Sequence, residues 1–217
     1  MQHVDAAPRT DTRSRAQQVA LELFAEQGYE KTSLREIAAR LGVTKAALYY
    51  HFRSKEDIVH SFTDDHFAAI DALIDWAKAQ PAGPETRRKI LERYVGIVLA
   101  NRDVFRFIEQ NRAAMQAIDA GKGDRIAKFR SRLDTLVELL AGANVPLRDR
   151  VRATAALFAA NTSCMYFSST GEDLTDLRAI VLEIAEDLVN LGGQKLCLSR
   201  GVKTNPPDPP PSCASRR

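Results

Sequence analysis

From about residue 13 to residue 191, apolar positions recur every three or four residues with polar ones between them. That is a helical period, and no stretch alternates convincingly in the manner of a half-buried strand. Over 13–27, Ala16, Ala20, Leu23 and Phe24 share one face, and Gly28 supplies a stop. A second helix is expected over 33–41, where Thr32/Ser33 can cap and Glu36, three residues after Ser33, completes a capping-box pattern. A third is expected over 44–50, starting at Thr44. A fourth, over 55–79, opens at Ser54, carries Glu56 and Asp57 in its first turn and ends before Pro81.

The same style continues. A helix begins near Pro84 with Ile90, Tyr94, Ile97 and Val98 on one side, and another covers 103–119, closed by Gly121. Residues 124–141 place Ile126, Phe129, Leu133, Leu136, Val137 and Leu140 at helical spacing, and 147–168 are apolar nearly all round. Over 174–191, Leu177, Ile180, Val181, Ile184, Leu188 and Leu191 form one stripe, closed by Gly192-Gly193. The fold class is all-α. From about Ser199 the period is lost and five of the nine prolines crowd together, so 199–217 reads as a disordered, Pro-rich tail. It is either a dispensable extension or a ligand for a proline-recognition module. The expected organisation is a flexible arm (1–12), a helical unit (13–54), a larger helical domain (55–198) and the tail.

At 45% hydrophobic residues, the 217-residue chain can bury a sizeable core. No window approaches the roughly 18 apolar residues of a membrane span, and the polar opening MQHVDAAPRTDTRSRAQ lacks the apolar middle of a signal peptide. Three scattered cysteines (Cys164, Cys197 and Cys213) fit neither a disulfide framework nor a zinc box, which points to a reducing, cytoplasmic setting. Glu56, His60 and Asp64 stand at i±4 and could bind a metal; a solvated helix face explains them more simply. No cofactor is implied. Residues 1–60 hold nine Lys/Arg against eight Asp/Glu, so any nucleic-acid binding there must rest on placed charge and not on bulk basicity.

The stretch TSLREIAARLGVTKAALYYHFRSKEDIV, residues 32–59, carries most of the functional information. Two short helices joined through Gly42-Val43 have the spacing of a helix-turn-helix. Ala38 is small where the helices cross, Gly42 can adopt the left-handed turn, and Leu48 points back into the core with Ile37, Leu41 and Phe52. An ordinary helical hairpin would share that pattern. The second helix adds more: Thr44, Lys45, Ala46, Ala47 and Tyr49 face outward, where methyls can meet a thymine methyl and Lys45 can reach guanine acceptors. Tyr50, His51, Arg53, Ser54 and Lys55 follow, suited to phosphate oxygens, with the N–H groups of the next helix start beside them.

The run FAEQGYEKTSLREIAARLGVTKAALYYHFRSKEDI closely resembles the DNA-binding domain of the TetR family of bacterial transcriptional regulators. The first helix ends in F-x-x-x-G-Y, the second carries T-S-x-R-x-I-A, and L-Y-x-H-F-x-x-K runs into helix four. The match covers about 13–60. The resemblance implies nine helices, a homodimer, a palindromic operator and repression relieved by a small molecule. By position, Arg35, Thr44, Lys45, Ala46, Ala47 and Tyr49 would face the major groove, while Tyr50, His51 and Lys55 would hold phosphates. His51 has an equal structural reading as a link between helices three and four.

Two further sites are expected. Ala153, Ala156, Ala160 and Ser163 on one helix, with Leu177, Val181, Ile184 and Leu188 on the next, suit a four-helix dimer interface; completing the monomer's core is the alternative. An effector cavity among helices four to eight would draw on Phe62, Phe67, Trp76, Phe105, Phe129, Phe158, Met165 and Tyr166, with Arg106, Asn161 and Thr162 as polar handles. That wall predicts a mainly apolar effector. A helical enzyme is the rival reading, and no nucleophile–base set, phosphate loop or metal box supports it. A chromosome-organising DNA binder is the other.

Overall fold

The computed structural model describes residues 9–119, 125–167 and 169–190. Among these the chain forms ten helices: α1 (Arg9–Gln27), α2 (Leu34–Leu41), α3 (Lys45–His51), α4 (Lys55–Lys78), α5 (Pro84–Ala100), α6 (Arg102–Gln110), α7 (Arg112–Asp119), α8 (Arg125–Ala141), α9 (Leu147–Phe167) and α10 (Leu174–Asn190). α1 already begins at Arg9, inside the segment expected as a flexible arm, and the Pro-rich tail lies outside the described residues.

The nine expected helices become ten because 103–119 breaks at Asn111. Its side-chain Nδ2 and its backbone N–H both donate to the Phe107 carbonyl, at 2.8 and 3.1 Å. Asn101 treats the Ile97 carbonyl in the same way at 2.8 Å and ends α5. A short amide side chain that captures the carbonyl four residues back competes with the helix ladder and stops it.

Two apolar cores result. The larger one joins α5, α8, α9 and α10 to the distal half of α4 (Ile70, Leu73, Ile74, Ala77). The smaller one gathers α1, α2, Leu48 and Phe52 around the start of α4, and it also takes in Phe107 from α6 and Met115 from α7. The expected boundary at residue 54 is therefore crossed. Ile58, Val59 and Phe62 of α4 belong to the N-terminal core, and a segment fifty residues later helps to close it.

The proposed dimer residues divide. Ala153, Ala156, Ala160, Leu177 and Val181 lie in the larger core of their own chain. Ser163 and Leu188 are half-buried, and Ile184 is exposed. Besides the expected Ile184, the exposed large hydrophobics of these two helices include Val151, Phe158, Tyr166 and Ile180. α9 thus has apolar residues on two faces: one stripe is core and the other is open.

Candidate nucleic-acid interface

The local sequence builds the helix-turn-helix in three steps. Ser33 caps α2 by accepting from the Glu36 backbone N–H, and the Glu36 carboxylate accepts from the Ser33 N–H at 2.8 Å, which completes the capping box. Gly42 then takes the left-handed conformation (φ 75°, ψ 27°), and Val43 N–H reaches back to the Ala38 carbonyl at 3.1 Å. That six-to-one bond ends α2 and turns the chain. Thr44 caps α3, its hydroxyl accepting from Ala47 N–H at 3.2 Å.

α3 is held by one buried side chain, Leu48, with no exposure. Lys45, Ala46, Ala47, Tyr49 and Tyr50 are exposed, and Tyr50 is 71% accessible. The Lys45 ammonium lies 5.2 Å from the centre of the Tyr49 ring. Arg35 is exposed on neighbouring α2, and the hydroxyl of exposed Thr44 is already occupied by its cap. His51 is half-buried at the end of α3, edge-on to Tyr50 with centroids 5.3 Å apart. Structural and phosphate roles are both open to it.

Lys55 departs from a simple phosphate clamp. Its ammonium donates to the Tyr29 carbonyl at 3.0 Å, sits 4.1 Å from the Tyr29 ring centre and lies 3.7 Å from Glu30, with only 20% of its side chain exposed. The Tyr29 hydroxyl donates to Glu56 at 2.7 Å, so the end of α1 is fastened to the start of α4. Burial, then the hydrogen bond to Glu56, pushes the Tyr29 phenol well above its ordinary range. The α4 start is also less available than expected: Ser54 accepts from Asp57 N–H, and the Asp57 carboxylate accepts from Arg53 N–H, both at 3.1 Å. His60 is buried and not part of a solvated face.

The expected effector residues do not form one cavity. Phe62 is in the N-terminal core. Trp76 is half-buried under the Arg93 guanidinium at 3.8 Å. Phe105 meets buried His66 edge-on at 4.9 Å, and Phe129 borders a space of about 20 Å³ with His66, Phe67, Tyr94 and Arg132. Phe158 is half exposed. Five of the residues do converge: Arg106 with Asn161, Thr162, Met165 and Tyr166 line a cleft of about 350 Å³ between α6 and α9, joined by Arg102 and Glu109. Asn161 is partnered by Tyr94, whose phenol burial pushes up to about 12, and exposed Thr162 can meet water. Neither needs a ligand for its hydrogen bonds. Arg102, His66 and Tyr94 were missed, since single polar residues at core-like spacing give no signal of a shared space.

Comparison with known proteins bears on the N-terminal unit first. The family described as bacterial regulatory proteins, tetR family, matches residues 18–62, the end of α1 through the start of α4. The N-terminal unit belongs to the tetR family. It is a family of regulators and not of enzymes. Over 48 residues the chain is 50% identical to the HTH-type transcriptional regulator AcrR of Shigella flexneri, covering 22% of each protein. It is 34% identical over 100 residues to the HTH-type transcriptional repressor KstR2 of Mycobacterium tuberculosis, covering 44% of each. The chain spans less than half the length of the curated relatives it matches. The tetR-like fold extends further than the sequence match. A transcriptional regulator of Aquifex aeolicus superposes with a TM-score of 0.62 at 20% identity, over 79% of this chain and 96% of that one. A TetR/AcrR-family regulator of Thermobifida fusca does so with a TM-score of 0.53 at 28% identity, over 85% and 100%. Among the described residues no helix is long and apolar enough to cross a membrane.

Proposed function

We propose that the chain is a DNA-binding transcriptional regulator, a homodimeric repressor that acts in the cytoplasm and leaves a palindromic operator when a small, mainly apolar effector binds. The observation that carries this reading is α3. One buried leucine anchors it, while Lys45, Ala46, Ala47 and Tyr49 stand exposed on a helix whose ends are already capped. Such a helix is free to lie in a major groove and offers methyls and one cation to base edges. Arg35 supplies a further donor from α2, and Tyr50 and His51 flank the row.

Repression is the sign suggested by the KstR2 relatives, which are transcriptional repressors by name. Dimerisation follows from the need for two reading heads on one palindrome, and exposed Phe158, Ile180 and Ile184 offer an apolar face for the second copy. The test is footprinting with duplex DNA taken from beside the protein's own gene. Two equivalent protected half-sites about one helical turn apart are expected (roughly 34–36 Å). Binding with no preference over random duplex, or protection of one half-site alone, refutes the reading.

A further inference from the structure

We propose that the space between α4, α5 and α8 binds a neutral aromatic molecule carrying one hydroxyl, and that His66 Nδ1 is the polar anchor for that hydroxyl. The inference rests on the regulatory reading above and gives the effector a chemical class.

His66 is 7% exposed, yet its Nδ1 has no hydrogen-bond partner among the described residues. A buried polar atom is costly to leave unpaired, so such atoms are ordinarily met by a partner. His66 lines a space of about 20 Å³, room for a single water, together with Phe67, Tyr94, Phe129, Arg132 and Leu136. The other polar groups at this space already have partners. Arg132 donates to the two Asp71 carboxylate oxygens at 2.8 and 2.6 Å and to the Lys128 carbonyl at 3.1 Å, with its guanidinium 4.6 Å from the Phe67 ring centre. The Tyr94 hydroxyl is met by Asn161. The His66 ring itself is packed edge-on against Phe105, with centroids 4.9 Å apart. Leu136 and Ile70 are fixed in the core at 2% and 4% exposure. Phe129, by contrast, is 40% exposed, so turning it outward breaks little packing and leaves room for one ring in its place.

The chemistry of the walls selects the ligand. Carbon surface from Phe67, Phe129 and Leu136 rewards a flat apolar body, and aromatic rings meet one another favourably in offset or edge-on geometry. A cation would meet the Arg132 guanidinium. A carboxylate would find that guanidinium held by Asp71, and burial keeps the imidazole uncharged by lowering its pKa. A neutral imidazole leaves Nδ1 either as an acceptor or as an N–H donor, according to its tautomer. A hydroxyl answers both, because it can donate or accept.

Calorimetry on the full chain with para-ethylphenol and para-ethyltoluene compares a hydroxyl with a methyl on the same ring. Both probes should bind saturably. His66→Leu should move the ratio of their affinities about tenfold toward the hydrocarbon, the scale of one buried hydrogen bond. An unmoved ratio overturns the anchor. No saturable binding of either probe overturns the site, leaving a space that holds only water. Tighter binding of para-ethylbenzoate than of the phenol overturns the neutral class. Should His66→Leu lose its fold, the unaltered protein carries the same test by nitrogen NMR. The His66 Nδ1 signal should shift with the phenol and stay in place with the hydrocarbon, and equal shifts overturn the anchor. Phe129→Ala leaves the entrance open and should bind the phenol at least as tightly as the unaltered protein; a loss overturns the entry path. A chain that binds no DNA defeats the regulatory reading, while these contrasts are read without DNA and stand or fall alone.

Discussion

Lys45 and Lys55 bring the same charge to one end of the helix-turn-helix, but their surroundings assign them different work. Lys45 is exposed on α3 with the Tyr49 ring beside it. Lys45→Ala should relax base preference at a cost of roughly 1–3 kcal/mol in discrimination, measured on operator against random duplex. Equal loss on both defeats the role. Lys55 is fastened to the Tyr29 carbonyl and ring, so Lys55→Ala should first lower stability, by about 1–3 kcal/mol in urea melts. If Lys55 also reaches a phosphate, its loss lowers the salt slope of DNA binding by about one unit. The cations were legible in the sequence. The tie was not, since Tyr29 lies 26 residues earlier and only the folded chain brings the two together. His66 makes the same point through pH. Its ring is 7% exposed, its Nδ1 has no hydrogen-bond partner among the described residues, and burial lowers its pKa from 6.5. The folded state thus refuses a proton that the unfolded chain accepts at its ordinary 6.5. Stability should therefore fall as pH drops through 6.5, and His66→Leu should flatten that slope. An unchanged slope in the variant refutes the assignment.

Among the elements, those written in local chemistry were the readable ones. The α2 start was visible in Ser33 and Glu36, and the turn in Gly42, because caps and left-handed turns depend on residues a few positions apart. Gly42 has no neighbouring atom within 4 Å of an added Cβ, so Gly42→Ala should cost only conformational strain. That strain is about 1–2 kcal/mol at positive φ. Urea denaturation showing no loss would mean that the turn can relax into another geometry. The break at Asn111 and the alliance of α6 with the N-terminal core were harder to see. Phe107, Val104 and Ile108 stand at helical spacing, and periodicity says that a face is buried without saying against which partner. The aromatic set chosen for an effector wall shows the same limit. Phe62, Trp76 and Phe129 occupy three separate places, while Arg106, Asn161, Thr162, Met165 and Tyr166 meet.

For the whole molecule, the consequence lies in assembly. Spacing identified α9 and α10 as a pair; of the residues expected at a dimer interface, Ala153, Ala156, Ala160, Leu177 and Val181 lie in the chain's own core, while Ile184 stands exposed. Ala153, Ala156 and Ala160 are buried inside one chain, and the bulky residues left outside are the ones available to a second copy. Neighbouring positions on α10 can therefore separate core from interface. Val181 is 4% exposed, so Val181→Asp buries a charge and should unfold the chain. Ile184 is 51% exposed, so in a monomer Ile184→Asp costs little stability. In a dimer that packs this face, the same substitution places two like charges near the symmetry axis. Ile184→Asp should then give a monomer by light scattering, with its helical circular dichroism intact. Operator binding should be lost, since one half-site is left to hold each head. Phe158→Asp, at 50% exposure on α9, should do the same. An intact dimer in both variants would place the second copy on another face.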